Sequence, residues 1–232
     1  MKSTTRRFIA IVGIIAVGWM LPLKGALADA PSFMELSAEW QQWALSIPTS
    51  INPQLDPTGE NCMVGQRGSV WFLAGTFGGG SATRTCAVPE GKELFFPVIN
   101  NMFFDSPNVC GQGPDSIPVT ELRAINADFI GGATNLLIEV DGKPLRNLQH
   151  VQSKVFEVAL PEENVFDAPC TGAGLGNVPA GIYSPAVDEG FYVLLEPLKV
   201  GNHTLHIHAE NPSAEFTLDV TYNLTVVPVR HK

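Results

Sequence analysis

One stretch of the chain has residue types and spacing that suit metal chemistry, from His203 to Glu210 with the sequence HTLHIHAE. On a β-strand, side chains alternate between two faces, so His206, His208 and Glu210 share one face and the residues between them share the other. Two imidazoles and a carboxylate can hold zinc or another divalent transition metal. The alternation makes these three side chains the candidate metal ligands of the chain. His203 has the opposite parity and joins them only if the strand bends near Gly201.

The favoured interpretation of this stretch is a structural strand whose apolar face packs on the core and whose polar face is exposed to solvent, with the metal site as the alternative. A second candidate group consists of oxygen-bearing side chains. Six of them flank two predicted core strands: Asn100, Asn101, Asp105, Asp115, Asp188 and Glu189. Ca²⁺ binds several such oxygens and often braces loops of extracellular proteins. A calcium site on these residues is therefore one hypothesis, and solvated acidic side chains are the favoured interpretation because the sequence contains no EF-hand spacing.

The first thirty residues have the pattern of a secretory signal peptide. Basic residues precede an apolar run from Phe8 to Leu23, and small residues follow with two A-x-A cleavage options that end at Ala28 and Ala30. The run contains glycine and proline and is shorter than the roughly 20 clean apolar residues that a membrane helix needs. We therefore expect residues 1–30 to be removed on export. The mature protein is predicted to be secreted or periplasmic, with no membrane span.

The four cysteines all lie in the mature part of the chain. An even number of cysteines after a signal peptide predicts disulfide bonds, and four cysteines allow three pairings. The favoured pairing joins Cys62 to Cys86 and Cys110 to Cys170, because the first bond would brace the strand from Val70 and its return. Zinc is the alternative, but no C-x-x-C spacing supports it.

Charge limits the classes of partner. Removing residues 1–30 takes away four basic residues and one acidic residue, which changes the net charge from −9 to −12. So acidic a domain disfavours nucleic acid and anionic membrane surfaces as partners. The remaining candidate partners are a small molecule, a glycan or another protein. The chain is 45% hydrophobic and 16% charged, so it can build a sizeable core.

The elements that must position these residues are mostly strands. Ser32 and Glu35 form a capping box for a helix that Pro48 ends, and a second, short helix covers 119–130. Asp141-Gly142 predicts a hairpin turn. The predicted strands cover 70–77, 94–101, 135–140, 155–160, 191–195, 203–210 and 216–227. Short strands separated by turns and long loops predict a mainly β fold.

The expected fold is an antiparallel β-sandwich, with a jelly-roll as one arrangement, carrying an N-terminal helix and one short internal helix. Residues 31–232 are expected to form a single disulfide-stabilised domain. The segments WALSIP, WFLAGTFGG and LFFPVIN, at 43–48, 71–79 and 94–100, resemble a family of uncharacterised exported proteins that are mainly bacterial. The resemblance implies the compartment and the single domain, and it implies no catalytic residue.

Together these patterns favour a binding or structural protein over an enzyme. One alternative is a metal-dependent enzyme in which His206 and His208 hold an ion that activates water. Another is a calcium-braced carbohydrate-binding or adhesive module. That module needs an exposed aromatic platform from Trp40, Trp43 or Trp71.

Overall fold

A computed structural model describes residues 31–229 of the 232-residue chain. The predicted signal peptide, residues 1–30, lies outside the described residues. No helix within 31–229 is long and apolar enough to cross a membrane.

The helices are α1 (Phe33–Leu45), α2 (Val119–Gly131) and α3 (Asp167–Gly172). Helix α1 begins at the predicted capping box, in which the Ser32 hydroxyl accepts from the Glu35 N–H and the Glu35 carboxylate accepts from the Ser32 N–H. The sequence patterns locate α1 and α2 correctly. Helix α3 lies in a Gly- and Pro-rich stretch that predicts an irregular loop.

The strands of the described region follow in chain order: β1 (Val70–Phe72), β2 (Gly80–Pro89), β3 (Glu93–Phe104), β4 (Thr134–Val140), β5 (Lys143–Pro144), β6 (Gln149–Gln152), β7 (Phe156–Leu160), β8 (Gly181–Leu195), β9 (Gly201–Asn211) and β10 (Phe216–Val227). Sheet A has the order β1-β3-β8, with β6 and β7 both paired to β8. Sheet B has the order β2-β10-β9-β4-β5. The predicted hairpin is present, with Asp141 and Gly142 both at positive φ between β4 and β5.

The mainly β, sandwich-like architecture is confirmed, and both sheets are mixed. Most neighbouring strands are antiparallel, but β1 runs parallel to β3 and β2 runs parallel to β10. Parallel neighbours need a crossover between them. The chain supplies one because β2, which belongs to the other sheet, lies between β1 and β3 in sequence.

The two sheets enclose the main core. Phe96 and Val193 of sheet A face Ile207 and Val220 of sheet B, and all four are buried. Helix α1 covers the other face of sheet A, where its apolar side chains join the same cluster as Phe95. The described residues thus form one compact unit with α1 as an outer layer.

Several strands differ from their predicted lengths, and the largest differences are in β1 and β8. Strand β1 ends at Phe72 rather than at 77, since beyond it the carbonyl oxygens of Ala74 and Gly75 accept from the buried Arg84 guanidinium. Strand β8 begins at Gly181 rather than at 191, so it includes Asp188. A carboxylate in a buried strand is unexpected from sequence alone, and here it has hydrogen-bond partners from other elements.

Both favoured disulfide bonds are present. Cys62 is bonded to Cys86, and Cys110 is bonded to Cys170. The first bond lies in the main core, where it ties the turn before β1 to β2. The second joins the loop after β3 to α3.

Candidate functional site

A cavity of about 720 Å³ lies at one end of the sandwich. Its walls come from elements that are far apart in sequence: the outer half of β3, the start of β10, helix α3, and the loops around residues 77 and 109. Most of the lining is apolar or aromatic: Phe77, Phe104, Phe129, Phe166, Val178 and Leu218. A concave, mainly apolar cavity with a few polar groups is the usual form of a small-molecule site.

Strand β3 forms one wall of this cavity because it is longer than the core needs. Its first half is buried between sheet B and α1. From Asn100 onwards its residues are less buried. Residues Met102–Phe104 then present apolar side chains beyond the main core. Phe103 and Leu175, which also line the cavity, are 39% and 49% exposed and place its mouth at the surface.

The disulfide bond between Cys110 and Cys170 is part of the cavity wall. It fixes the loop after β3 against α3, and both segments line the cavity. Loops without sheet partners have few contacts of their own to hold a fixed shape. The cavity therefore depends on this covalent link for the position of two of its walls.

Amide side chains also line the cavity, among them Gln41, Gln54 and Asn100. The Gln54 side-chain oxygen, Oε1, is buried and accepts no hydrogen bond from any described residue. Asn52 holds this loop in place: its amide donates to the last carbonyl groups near the end of α1, and its Oδ1 accepts from the Gln54 N–H at 2.9 Å. Gln54 Oε1 is thus an acceptor held in a fixed loop beside the cavity.

Behind these amides lies the buried carboxylate of Asp188. It accepts hydrogen bonds from Gln41 at 2.6 Å, from Tyr192 at 2.8 Å and from Asn100 at 3.4 Å. Burial raises the pKa of Asp188 to about 7, although these three hydrogen bonds act in the opposite direction. Because Gln41 and Asn100 direct an amide N–H towards Asp188, the carboxylate is coupled to the cavity through two side chains.

None of the described residues that line the cavity is an Asp, Glu, Lys, Arg or His. The other large groove, about 560 Å³ beside α1, differs in this respect because Glu39, Arg67 and Glu157 line it. A charged ligand group in the first cavity would lose its water without gaining an ion-pair partner, which is unfavourable. The lining therefore suits an uncharged ligand.

The predicted metal ligands do share one face, on the outside of sheet B. There His206 Nε2 lies 3.2 Å from Asp219 Oδ1, and His208 Nδ1 lies 3.2 Å from Asp219 Oδ2. Asp219 belongs to β10, and the sequence pattern does not single it out. Glu210 Oε1 lies 3.1 Å from His208 Nε2. The described residues contain no group of three or more His, Cys, Asp or Glu side chains arranged to hold a metal ion. The metal site stays a prediction.

His203 lies apart from this cluster. Its Nδ1 lies 2.8 Å from Asp141 and its Nε2 lies 2.8 Å from the Lys199 carbonyl oxygen. The hydrogen bond with Asp141 raises the pKa of His203. This histidine therefore links β9 to the hairpin turn.

Three of the acidic residues that suggest calcium, Asp105, Asp188 and Glu189, have hydrogen-bond partners within the protein. Asp105 accepts from Gln112 and from the Ile117 N–H, so it organises the loop after β3. Glu189 is buried on β8 and accepts from Gln152, with His150 Nε2 at 2.8 Å. Asp188 is engaged as described above. These contacts give the acidic side chains structural partners within the protein.

The tryptophans Trp40, Trp43 and Trp71 are all buried. Trp40 and Trp43 donate their indole N–H groups to backbone carbonyl oxygens of Leu73 and Val64. They therefore form no exposed platform for a sugar ring.

Comparison of the chain with protein-family models, with curated proteins and with solved structures finds no match. The resemblance of its WALSIP, WFLAGTFGG and LFFPVIN segments to an exported family stays a prediction.

Sequence patterns miss the cavity because its walls meet only in the folded chain. One local feature does point to it: the apolar run Met102–Phe104 continues a core strand past two asparagines. Apolar residues beyond the polar end of a strand need a second apolar layer or a ligand to cover them.

Proposed function

We propose that this is an exported binding protein that holds an apolar small molecule in the cavity beside β3. The cavity carries the proposal, since its size, its mainly apolar lining and its few amide groups are the features of a ligand site. The two disulfide bonds support an oxidising compartment, which fits the secreted or periplasmic location predicted from the first thirty residues. No role as an enzyme is needed to explain these features.

Helix α3 offers a way to block the cavity without disturbing the core. Ala173 lines the cavity at the end of α3 and is exposed to solvent. An Ala173→Trp side chain would fill the mouth of the cavity. Ala180 is also exposed but does not line it, so Ala180→Trp is the matched control.

The test is a titration of the mature protein with N-phenyl-1-naphthylamine, an uncharged apolar dye that fluoresces strongly when it leaves water. We expect saturable binding to the wild-type protein and to Ala180→Trp, and an affinity at least about tenfold lower for Ala173→Trp, which corresponds to about 1.4 kcal/mol. Equal binding to all three proteins would place the dye elsewhere and contradict the proposal.

A further inference from the structure

On the premise that the cavity beside β3 is a binding site, as proposed above, its phenylalanine residues limit the chemistry of the ligand. Half of the phenylalanines in the described region line this cavity: Phe77, Phe103, Phe104, Phe129, Phe166 and Phe216. None of these six is buried, whereas Phe95, Phe96 and Phe156 are. The six side chains therefore keep accessible apolar surface that a ligand can cover.

Five of these rings already pack in edge-to-face pairs. The Phe166 ring centroid lies 5.6 Å from that of Phe77 and 5.3 Å from that of Phe104, at interplanar angles of 82° and 75°. Phe129 and Phe216 form a separate pair, at 5.7 Å and 81°. In such a pair the positive edge of one ring meets the negative face of the other, which is more favourable than the buried area alone. An aromatic ligand can extend these contacts, and a saturated ligand cannot.

Met102 adds to this preference, because it also lines the cavity. The sulfur atom of a methionine makes favourable contacts with the edge of an aromatic ring at about 5 Å. The aliphatic lining residues, such as Val178 and Leu218, suit either class of ligand. The lining as a whole is therefore better matched to an aromatic ligand than to an aliphatic one.

Charge and size narrow the ligand further. A charged substituent on the ring would find no Lys, Arg, His, Asp or Glu among the described lining residues, and an ion without a partner is costly to bury. The volume of about 720 Å³ has room for more than one ring. We propose that the cavity takes an uncharged aromatic compound of two or more rings, which packs against Phe77, Phe104 and Phe166.

Three probes with one ring skeleton test this proposal: 2-naphthalenemethanol, its saturated counterpart decahydro-2-naphthalenemethanol, and 2-naphthoate. Each is titrated against the wild-type protein loaded with N-phenyl-1-naphthylamine at about pH 7.5, where the carboxylate is charged. Hydrophobic transfer alone favours the saturated alcohol, which has more apolar surface. We expect the aromatic alcohol to displace the dye at a concentration about fivefold lower than the saturated alcohol, which corresponds to about 1 kcal/mol. Equal or better displacement by the saturated alcohol or by 2-naphthoate would overturn the inference.

A pair of variants tests the ring group itself. Phe166→Leu keeps an apolar side chain and removes the ring that contacts Phe77 and Phe104, so the advantage of the aromatic alcohol should fall at least about twofold. Phe33→Leu is the matched control, because Phe33 is also partly buried and forms an edge-to-face pair with Phe95, but does not line the cavity. An unchanged advantage in Phe166→Leu, or an equal loss in Phe33→Leu, would contradict the role of these rings.

The dye separates this inference from the proposed function. If N-phenyl-1-naphthylamine does not bind the wild-type protein, the proposed function fails, and the aromatic ligand with it. If the dye binds and the saturated alcohol displaces it as well as the aromatic alcohol does, the proposed function stands and only the aromatic ligand is ruled out.

Discussion

Gln41 of α1 donates its side-chain amide N–H to the carboxylate of Asp188 on β8, at 2.6 Å and across 147 residues of sequence. The bond joins the helix that covers sheet A to the strand at its centre. Gln41 also lines the cavity. One side chain therefore links a buried ionisable group to the wall of the proposed ligand site.

Asp188 should make the stability of the protein depend on pH. Burial raises its pKa from 3.8 to about 7, so the folded state binds a proton more readily than the unfolded state. The stability that this proton contributes is complete below about pH 4 and is lost as the pH rises to about 7. In an Asp188→Asn variant, the free energy of unfolding should fall less over this range.

Asparagine fits this position because its Oδ1 can accept from Gln41 and its amide N–H can donate to Tyr192. The measurement is denaturant unfolding at a series of pH values. Asp128→Asn, at an exposed position of α2, is the control and should keep the wild-type slope. A wild-type pH profile in Asp188→Asn would contradict the prediction.

Arg84 should be one of the most sensitive positions for stability. It is buried on β2, and its guanidinium donates to the carbonyl oxygens of Asp56 and Gly75 and to the Tyr222 hydroxyl. Removing these donors in Arg84→Met leaves buried acceptors without partners, and we expect a loss of about 3 kcal/mol in the free energy of unfolding. Arg84→Lys should recover only part of it, since an ammonium cannot reach all the acceptors of the planar guanidinium.

The control for Arg84 is Arg146→Met, because Arg146 is exposed in a loop. Denaturant unfolding should show a change of less than about 0.5 kcal/mol for this variant. Equal unfolding midpoints for the two methionine variants would mean that the Arg84 hydrogen bonds contribute nothing to the free energy of unfolding.

The fold is largely readable from local patterns, and its exceptions have local causes. Caps and periodicity locate α1 and α2, and alternation locates β10, because each depends on neighbours in the sequence. The length of β8 is not readable, since Asp188 is accommodated by Gln41 of α1 and Asn100 of β3, which lie far away in sequence.

The two disulfide bonds should differ in what they protect. Replacing Cys110 and Cys170 with alanine should lower the free energy of unfolding by about 4 kcal/mol and weaken binding of N-phenyl-1-naphthylamine, because the bond fixes two cavity walls. Replacing Cys62 and Cys86 should cost a similar amount of stability but leave dye binding by the folded protein unchanged, since that bond lies in the main core. Equal effects on dye binding would contradict this division.

The metal hypothesis for the outer face of sheet B can be tested independently of the cavity. It predicts that Zn²⁺ or Cu²⁺ binds at about one equivalent per chain through the neutral imidazoles of His206 and His208. Isothermal titration should show this binding lost in a His206→Ala/His208→Ala variant and kept in His150→Ala, whose histidine lies on sheet A. No binding by the wild-type protein would rule out the site.

Sequence alone identifies the shared face of His206, His208 and Glu210, because strand alternation is a local property. It does not identify Asp219, which reaches the same histidines only through the pairing of β9 with β10. The sequence alone gives still less information about the cavity than about Asp219. Gln54, Phe104 and Phe166 meet there from three separate segments, and no spacing in the sequence reports that meeting.

The most direct measurement is a crystal structure of the mature protein grown with N-phenyl-1-naphthylamine. The proposed function predicts the dye inside the cavity, with its rings against Phe104 and Phe166. A dye molecule bound outside the cavity would contradict it.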